Sequence, residues 1–116
     1  MKYLFIVNGP PYGSEQSWNA LRLAGSLARR EAATVRIFLL GDAVGCAVAG
    51  QKVPDGYYHL DRMIESAAHH GAEIGCCGTC LDARGLEESA LTSSARRSSL
   101  DELTDWTEWA DKVITF

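Results

Sequence analysis

The chain reads as an α/β domain with a mainly parallel sheet and helices on both faces. Apolar runs of strand length alternate with amphipathic stretches in the order β-α-β-α-α-β, an ambiguous stretch, then α-β. The run at 2–7 is continuous in apolar character, the pattern of a strand buried on both faces, and 34–40 reads as a second buried strand. With 116 residues the chain is one domain, 1–116, able to bury roughly two-thirds of its unfolded surface. A composition of 47% hydrophobic and 22% charged residues supports a folded core.

Tyr3-Leu4-Phe5-Ile6-Val7 is the first strand, and Asn8-Gly9-Pro10-Pro11-Tyr12-Gly13 ends it, since two prolines and two glycines break regular structure. Ser14 is placed to cap a helix, with Glu15 favourable to its dipole. Trp18, Leu21, Ala24, Gly25 and Ala28 recur at helical spacing, and Arg29-Arg30 suit the last turn. Thr34 to Leu40 is the second strand. Asp42 is a candidate N-cap for a short helix, Ala43 to Ala49, whose residues are small and apolar on every side and therefore need cover all round, from the chain's own core or from another subunit. A polar loop spans Gly50 to Gly56. Leu60, Ile64 and Ala67 mark the next helix, which Gly71 closes after His69-His70. Ala72 to Cys76 is a short strand, and Cys77 to Gly85 a loop with at most one helical turn. Residues 86–97 carry no clear period. Ser99-Leu100-Asp101-Glu102 is a capping box for a helix bearing Leu103, Trp106 and Ala110, and Val113 to Phe116 closes as a strand.

Eleven basic against fifteen acidic residues give a net charge of −4, which argues against direct nucleic-acid binding. No apolar run approaches the roughly 20 residues that span a bilayer, and the opening run is too short for an export signal, so the chain reads as cytoplasmic. Its four cysteines, Cys46, Cys76, Cys77 and Cys80, are then reduced thiols with chemistry or burial to explain them.

In a parallel sheet, function gathers at the carboxyl ends of strands, where two loops stand out: 8–13 and 77–85. The first lacks a phosphate-binding glycine pattern, and its prolines remove N–H donors, so it reads as a rigid loop shaping a pocket wall or a subunit contact. The second holds Cys80, the main candidate. A helical turn over 81–84 would set Cys80 at its N-terminal end and bring Arg84 toward the sulfur to favour the thiolate, with Asp82 opposing unless it pairs elsewhere. Cys77-x-x-Cys80 also has a dithiol spacing, although Gly85 leaves little room for the helix a thioredoxin-like site uses. One cysteine pair with His69 and His70 falls short of a structural zinc set, and no metal or cofactor is expected. Cys46 and Cys76 fall in apolar settings that raise a thiol pKa and block access. Arg96-Arg97 reads as a solvated pair.

Several segments, in order and at matching intervals, resemble the DsrE/DsrF-like family and particularly its YchN-like branch. They are Asn8-Gly9-x-Pro11-Tyr12-Gly13, Phe38-Leu39-x-x-Asp42-Ala43-Val44, Gly50-Gln51-Lys52, Cys77-x-Thr79-Cys80-x-Asp82-x-Arg84-Gly85 and Ala110-Asp111-Lys112-Val113-x-Thr115-Phe116. The resemblance is weakest over 87–98. It implies a three-layer α/β/α fold with a five-stranded parallel sheet and the first strand internal, and a homo-oligomer, hexamer or trimer, with the cysteine loop near a subunit boundary. It further implies a small sulfur carrier working between donor and acceptor proteins, with the sulfur carried as a persulfide on Cys80 and Cys77 as an auxiliary thiol. A non-catalytic oligomeric binding module and a Cys77/Cys80 dithiol redox protein are the alternatives.

Overall fold

A computed structural model describes residues 1–116. Five strands form one parallel sheet: β1 (Lys2–Val7), β2 (Thr34–Leu39), β3 (Glu73–Cys77), β4 (Ala95–Ser98) and β5 (Lys112–Thr115), in the spatial order β4-β3-β2-β1-β5. β1 is internal, as the family resemblance implies. Helices α1 (Gln16–Ala28) and α2 (Leu60–His69) cover one face, and α4 (Leu100–Trp109) covers part of the other. The short helix α3 (Gly78–Ala83) leaves the end of β3 directly.

Strand alternation sorts the core into two halves. Phe5, Val7, Val35, Ile37, Leu39, Ile74 and Cys76 point toward α1 and α2, while Leu4 and Phe38 meet Leu103 and Trp106 of α4. Trp106 stands edge-on to Phe38, centroids 6.0 Å apart at 89°. Gly75 between them has no room for a side chain, since a Cβ would lie 3.2 Å from Phe38 and 3.3 Å from Trp106. Ser99 caps α4 by accepting from the Glu102 N–H at 3.2 Å, as its capping-box position predicts.

Three expectations change. The segment read as a helix over 43–49 is a 3₁₀ helix at Gly41–Ala47, and Asp42 makes no cap. Its apolar residues Ala43, Val44, Cys46 and Ala47 are fully buried by this chain alone, so they leave no surface that requires a subunit. The 8–13 loop braces that segment: Pro11 packs on Gly45, and Gly9 carbonyl accepts from Ser17 Oγ at 2.6 Å. Trp18 lies outside the buried face of α1 (Ser17, Ala20, Leu21, Ala24, Ala28) and stacks on Tyr58 at 4.6 Å. No helix is long and apolar enough to cross a membrane.

Candidate functional site

β3 carries Cys76 and Cys77 to the carboxyl end of the sheet, and the pleat sends their side chains to opposite faces. Cys76 enters the core beside α1 and α2, fully buried, and burial pushes its thiol up to about 12. Cys46 is likewise fully buried and pushed up to about 11. Both lie in the buried, desolvated settings that their sequence positions predict.

Cys77 is the N-cap residue of α3. Its Sγ accepts from the Cys80 N–H at 3.4 Å, lies 3.3 Å from Thr79 Oγ1, and accepts from Cys80 Sγ at 2.7 Å. Helix geometry produces this cluster, because positions three apart share a face and the first-turn N–H groups have no intrahelical acceptor. Burial raises the Cys77 thiol, but the hydrogen bonds from Cys80, Thr79 and the backbone outweigh it and hold the thiol below its ordinary value. Cys80 moves the other way: burial and the neighbouring Cys77 raise it, against the Gly41 N–H and Arg84, which lower it. Gly41, just beyond β2, donates its N–H to Cys80 Sγ at 3.2 Å.

Of the two thiols Cys77 is thus the one whose pKa is lowered, whereas the sequence reading places the favoured thiolate on Cys80. That reading set Cys80 alone at a helix N-terminus. The structure starts the helix earlier, so that Cys77 receives its first-turn donors and Cys80 becomes one of them. Arg84 also sits differently from expectation. Its guanidinium donates to the Cys80 carbonyl at 3.0 Å and pairs with Asp42 at 2.7 Å, reaching the Cys80 sulfur only through longer-range attraction.

Arg97 is the residue that sequence reasoning missed. Read as half of a solvated pair, it grips Asp82 with both nitrogens at 2.7 and 2.9 Å and lies over Gly78, next to Cys77. This occupies the Asp82 carboxylate that would otherwise oppose a thiolate. Its partner Arg96 pairs with Glu102 of α4. A cleft of about 580 Å³ opens beside the cysteines, lined by Phe38, Leu40, Thr79, Arg97 and Leu100 as well as Cys77 and Cys80. Leu100 is 73% exposed. The lining is mainly apolar in surface, with Thr79, Ser98, Ser99 and the Arg97 guanidinium as its polar members, and its apolar wall suits a soft, polarisable sulfur species.

A parallel α/β/α domain with a hydrogen-bonded cysteine pair at the end of an inner strand is the class these features define, and its family is shown directly: the DsrE/DsrF-like family model matches residues 1–116, and the chain belongs to that family. It is 40% identical over 116 residues to protein YchN of Escherichia coli K12, covering 99% of this chain and 98% of that one. The crystal structure of the E. coli ychN protein superposes with a TM-score of 0.93 over 99% of this chain and 98% of that one. A more distant relative, sulfurtransferase TusD of Salmonella arizonae, is 25% identical over 128 residues, spanning 100% of both chains.

Proposed function

We propose that this protein is a sulfur carrier: it accepts a sulfane sulfur as a persulfide and passes it to a partner protein. The observation that carries this reading is Cys77, a partly exposed thiol held below its ordinary pKa by converging donors at the wall of an apolar cleft. Membership of the DsrE/DsrF-like family and likeness to a sulfurtransferase support the class.

The Cys77 thiolate attacks the terminal sulfur of a donor persulfide. The new bond to Cys77 Sγ forms as the donor's S–S bond breaks, and the donor leaves as a thiolate. An acceptor thiolate then repeats the exchange on the sulfur carried by Cys77. Neither step changes the overall oxidation level, and neither draws on a cofactor. The persulfide role that the family resemblance assigns to Cys80 moves to Cys77, with Cys80 as the neighbouring donor. Arg97 supplies positive charge beside the sulfur, and Arg84 fixes the helix end by holding the Cys80 carbonyl.

Donor and acceptor proteins meet the carrier in the cytoplasm. It works as a homo-oligomer, a hexamer or trimer, to which exposed Leu100 beside the cleft and Val113 on the edge strand β5 offer apolar surface. Intact-mass measurement tests the reading. The protein is exposed to a persulfide donor, desalted and sampled at once. Wild type and Cys80→Ser each gain one sulfur atom, Cys77→Ser gains none, and the loaded forms pass sulfur to an added thiol protein. Equal gain in Cys77→Ser overturns the assignment, and no gain in any form overturns the carrier role.

A further inference from the structure

We propose that Cys80 is a resolving thiol, which discharges an undelivered persulfide on Cys77 as hydrogen sulfide and closes a Cys77–Cys80 disulfide. The inference rests on the carrier reading and adds a second fate for the same sulfur. Its geometric basis is that the two Sγ atoms face each other from positions three apart in the first turn of α3, which leaves little movement before an S–S bond closes. No other thiol competes, since Cys76 and Cys46 are fully buried and Cys76 points into the opposite face of the sheet.

The Cys80 thiolate attacks Cys77 Sγ, the inner sulfur of the persulfide. The Sγ–Sγ bond forms as the bond to the terminal sulfur breaks. The terminal sulfur takes up the proton that Cys80 gave up and leaves as hydrosulfide. One sulfane sulfur is reduced to sulfide while two cysteinyl sulfurs are oxidised to a disulfide, so the step draws on no outside oxidant. A dithiol reductant reopens the bond for another cycle.

Loading itself arms Cys80. In the resting pair burial first of all raises the Cys80 thiol, then its hydrogen bond to Cys77 and the negative charge Cys77 carries when ionised, while the Gly41 N–H at 3.2 Å lowers it. A sulfane sulfur on Cys77 moves that charge one bond outward, and the Gly41 donor stays in place. The cleft beside Cys77 has room for the terminal sulfur and a route for hydrosulfide to leave. The lifetime of the carried sulfur is therefore a race between an acceptor thiol arriving through the cleft and Cys80 behind it.

The test follows loaded, desalted protein over time by intact mass, with released sulfide trapped and counted. Wild type passes from a gain of one sulfur atom to a loss of two hydrogens relative to reduced protein, with one sulfide released per chain and the disulfide mapped to Cys77–Cys80. Cys80→Ser, whose hydroxyl still donates to Cys77, keeps its sulfur at least ~10-fold longer. A loaded Cys80→Ser that loses sulfur as fast as wild type, or sulfide release without the disulfide, overturns the resolving role alone. A Cys80→Ser that never takes up sulfur while wild type does overturns the placing of the carried sulfur on Cys77, and this step falls with it.

Discussion

Gly78→Ala and Gly25→Ala make the same chemical change in two helices, and the structure gives them opposite signs. At Gly78 an added Cβ would lie 2.9 Å from Arg97 Nη2, 2.9 Å from the Ser98 carbonyl oxygen and 3.0 Å from Arg97 Cζ. The guanidinium could swing aside only by releasing Asp82, and the Ser98 oxygen belongs to β4, registered against Cys77. Overpacking of this kind costs about 1–3 kcal/mol. Gly78 opens α3, so the preference of Ala for a helix interior offsets little of that loss. At Gly25, in the middle of α1, a Cβ meets nothing within 4 Å, so the propensity gain of about 0.5–1 kcal/mol stands alone. Urea unfolding at matched protein concentration reads both as shifts of midpoint, which keeps any assembly contribution constant. Midpoints that move in the same direction, or a Gly78→Ala midpoint equal to wild type, refute the packing argument at the site.

Glu102 ties α4 to β4 through Arg96 and the Ser98 hydroxyl, and the Arg96 hydrogen bonds hold its carboxyl below the usual range. Its folded pKa is depressed, so its contribution is present above the unfolded value of about 4.3 and disappears as pH falls through the folded value. Glu102→Gln therefore lowers stability at neutral pH by about 1 kcal/mol or less for so exposed a pair, and it flattens the acid limb of a stability–pH curve. An unchanged acid limb contradicts this. Arg84→Met breaks the exposed pair with Asp42 and leaves the Cys77 labelling midpoint in place, because the donors that lower the Cys77 thiol come from Cys80, Thr79 and the backbone. A large upward movement of that midpoint gives Arg84 at Cys77 the thiolate-stabilising role that the sequence suggests for it at Cys80. Light scattering at micromolar concentration finds a homo-oligomer, and a monomer alone removes the assembly from the proposal.

The sheet was largely legible because β1, β2 and the buried part of β3 are apolar runs whose pattern needs no tertiary context. β4 was not legible: Ala95-Arg96-Arg97-Ser98 has no strand pattern, and it is a strand only because it pairs with β3 while its arginines find Glu102 and Asp82. The 41–47 segment misled because apolar residues on every side look unsatisfied in a sequence, whereas the 8–13 loop and the side chain of Gln51, which donates to the Cys46 and Val48 carbonyls, cover it from within. At the site, the Cys77-x-x-Cys80 spacing and the strand-end location were visible. Which of the two thiols has its pKa lowered was not, since that depends on where α3 begins and on Gly41, nearly forty residues away in sequence.

The account turns on Cys77 as the thiolate of the pair, and residue-resolved alkylation across pH tests that most directly. Reduced protein is pulsed with limiting iodoacetamide at a series of pH values, and each cysteine is quantified by peptide mapping. The expected order is Cys77 first, Cys80 after it, and Cys46 and Cys76 last. The Cys77 rate should rise through a midpoint below the ordinary thiol value. Cys80 labelling ahead of Cys77, or a Cys77 midpoint at or above that value, contradicts the claim.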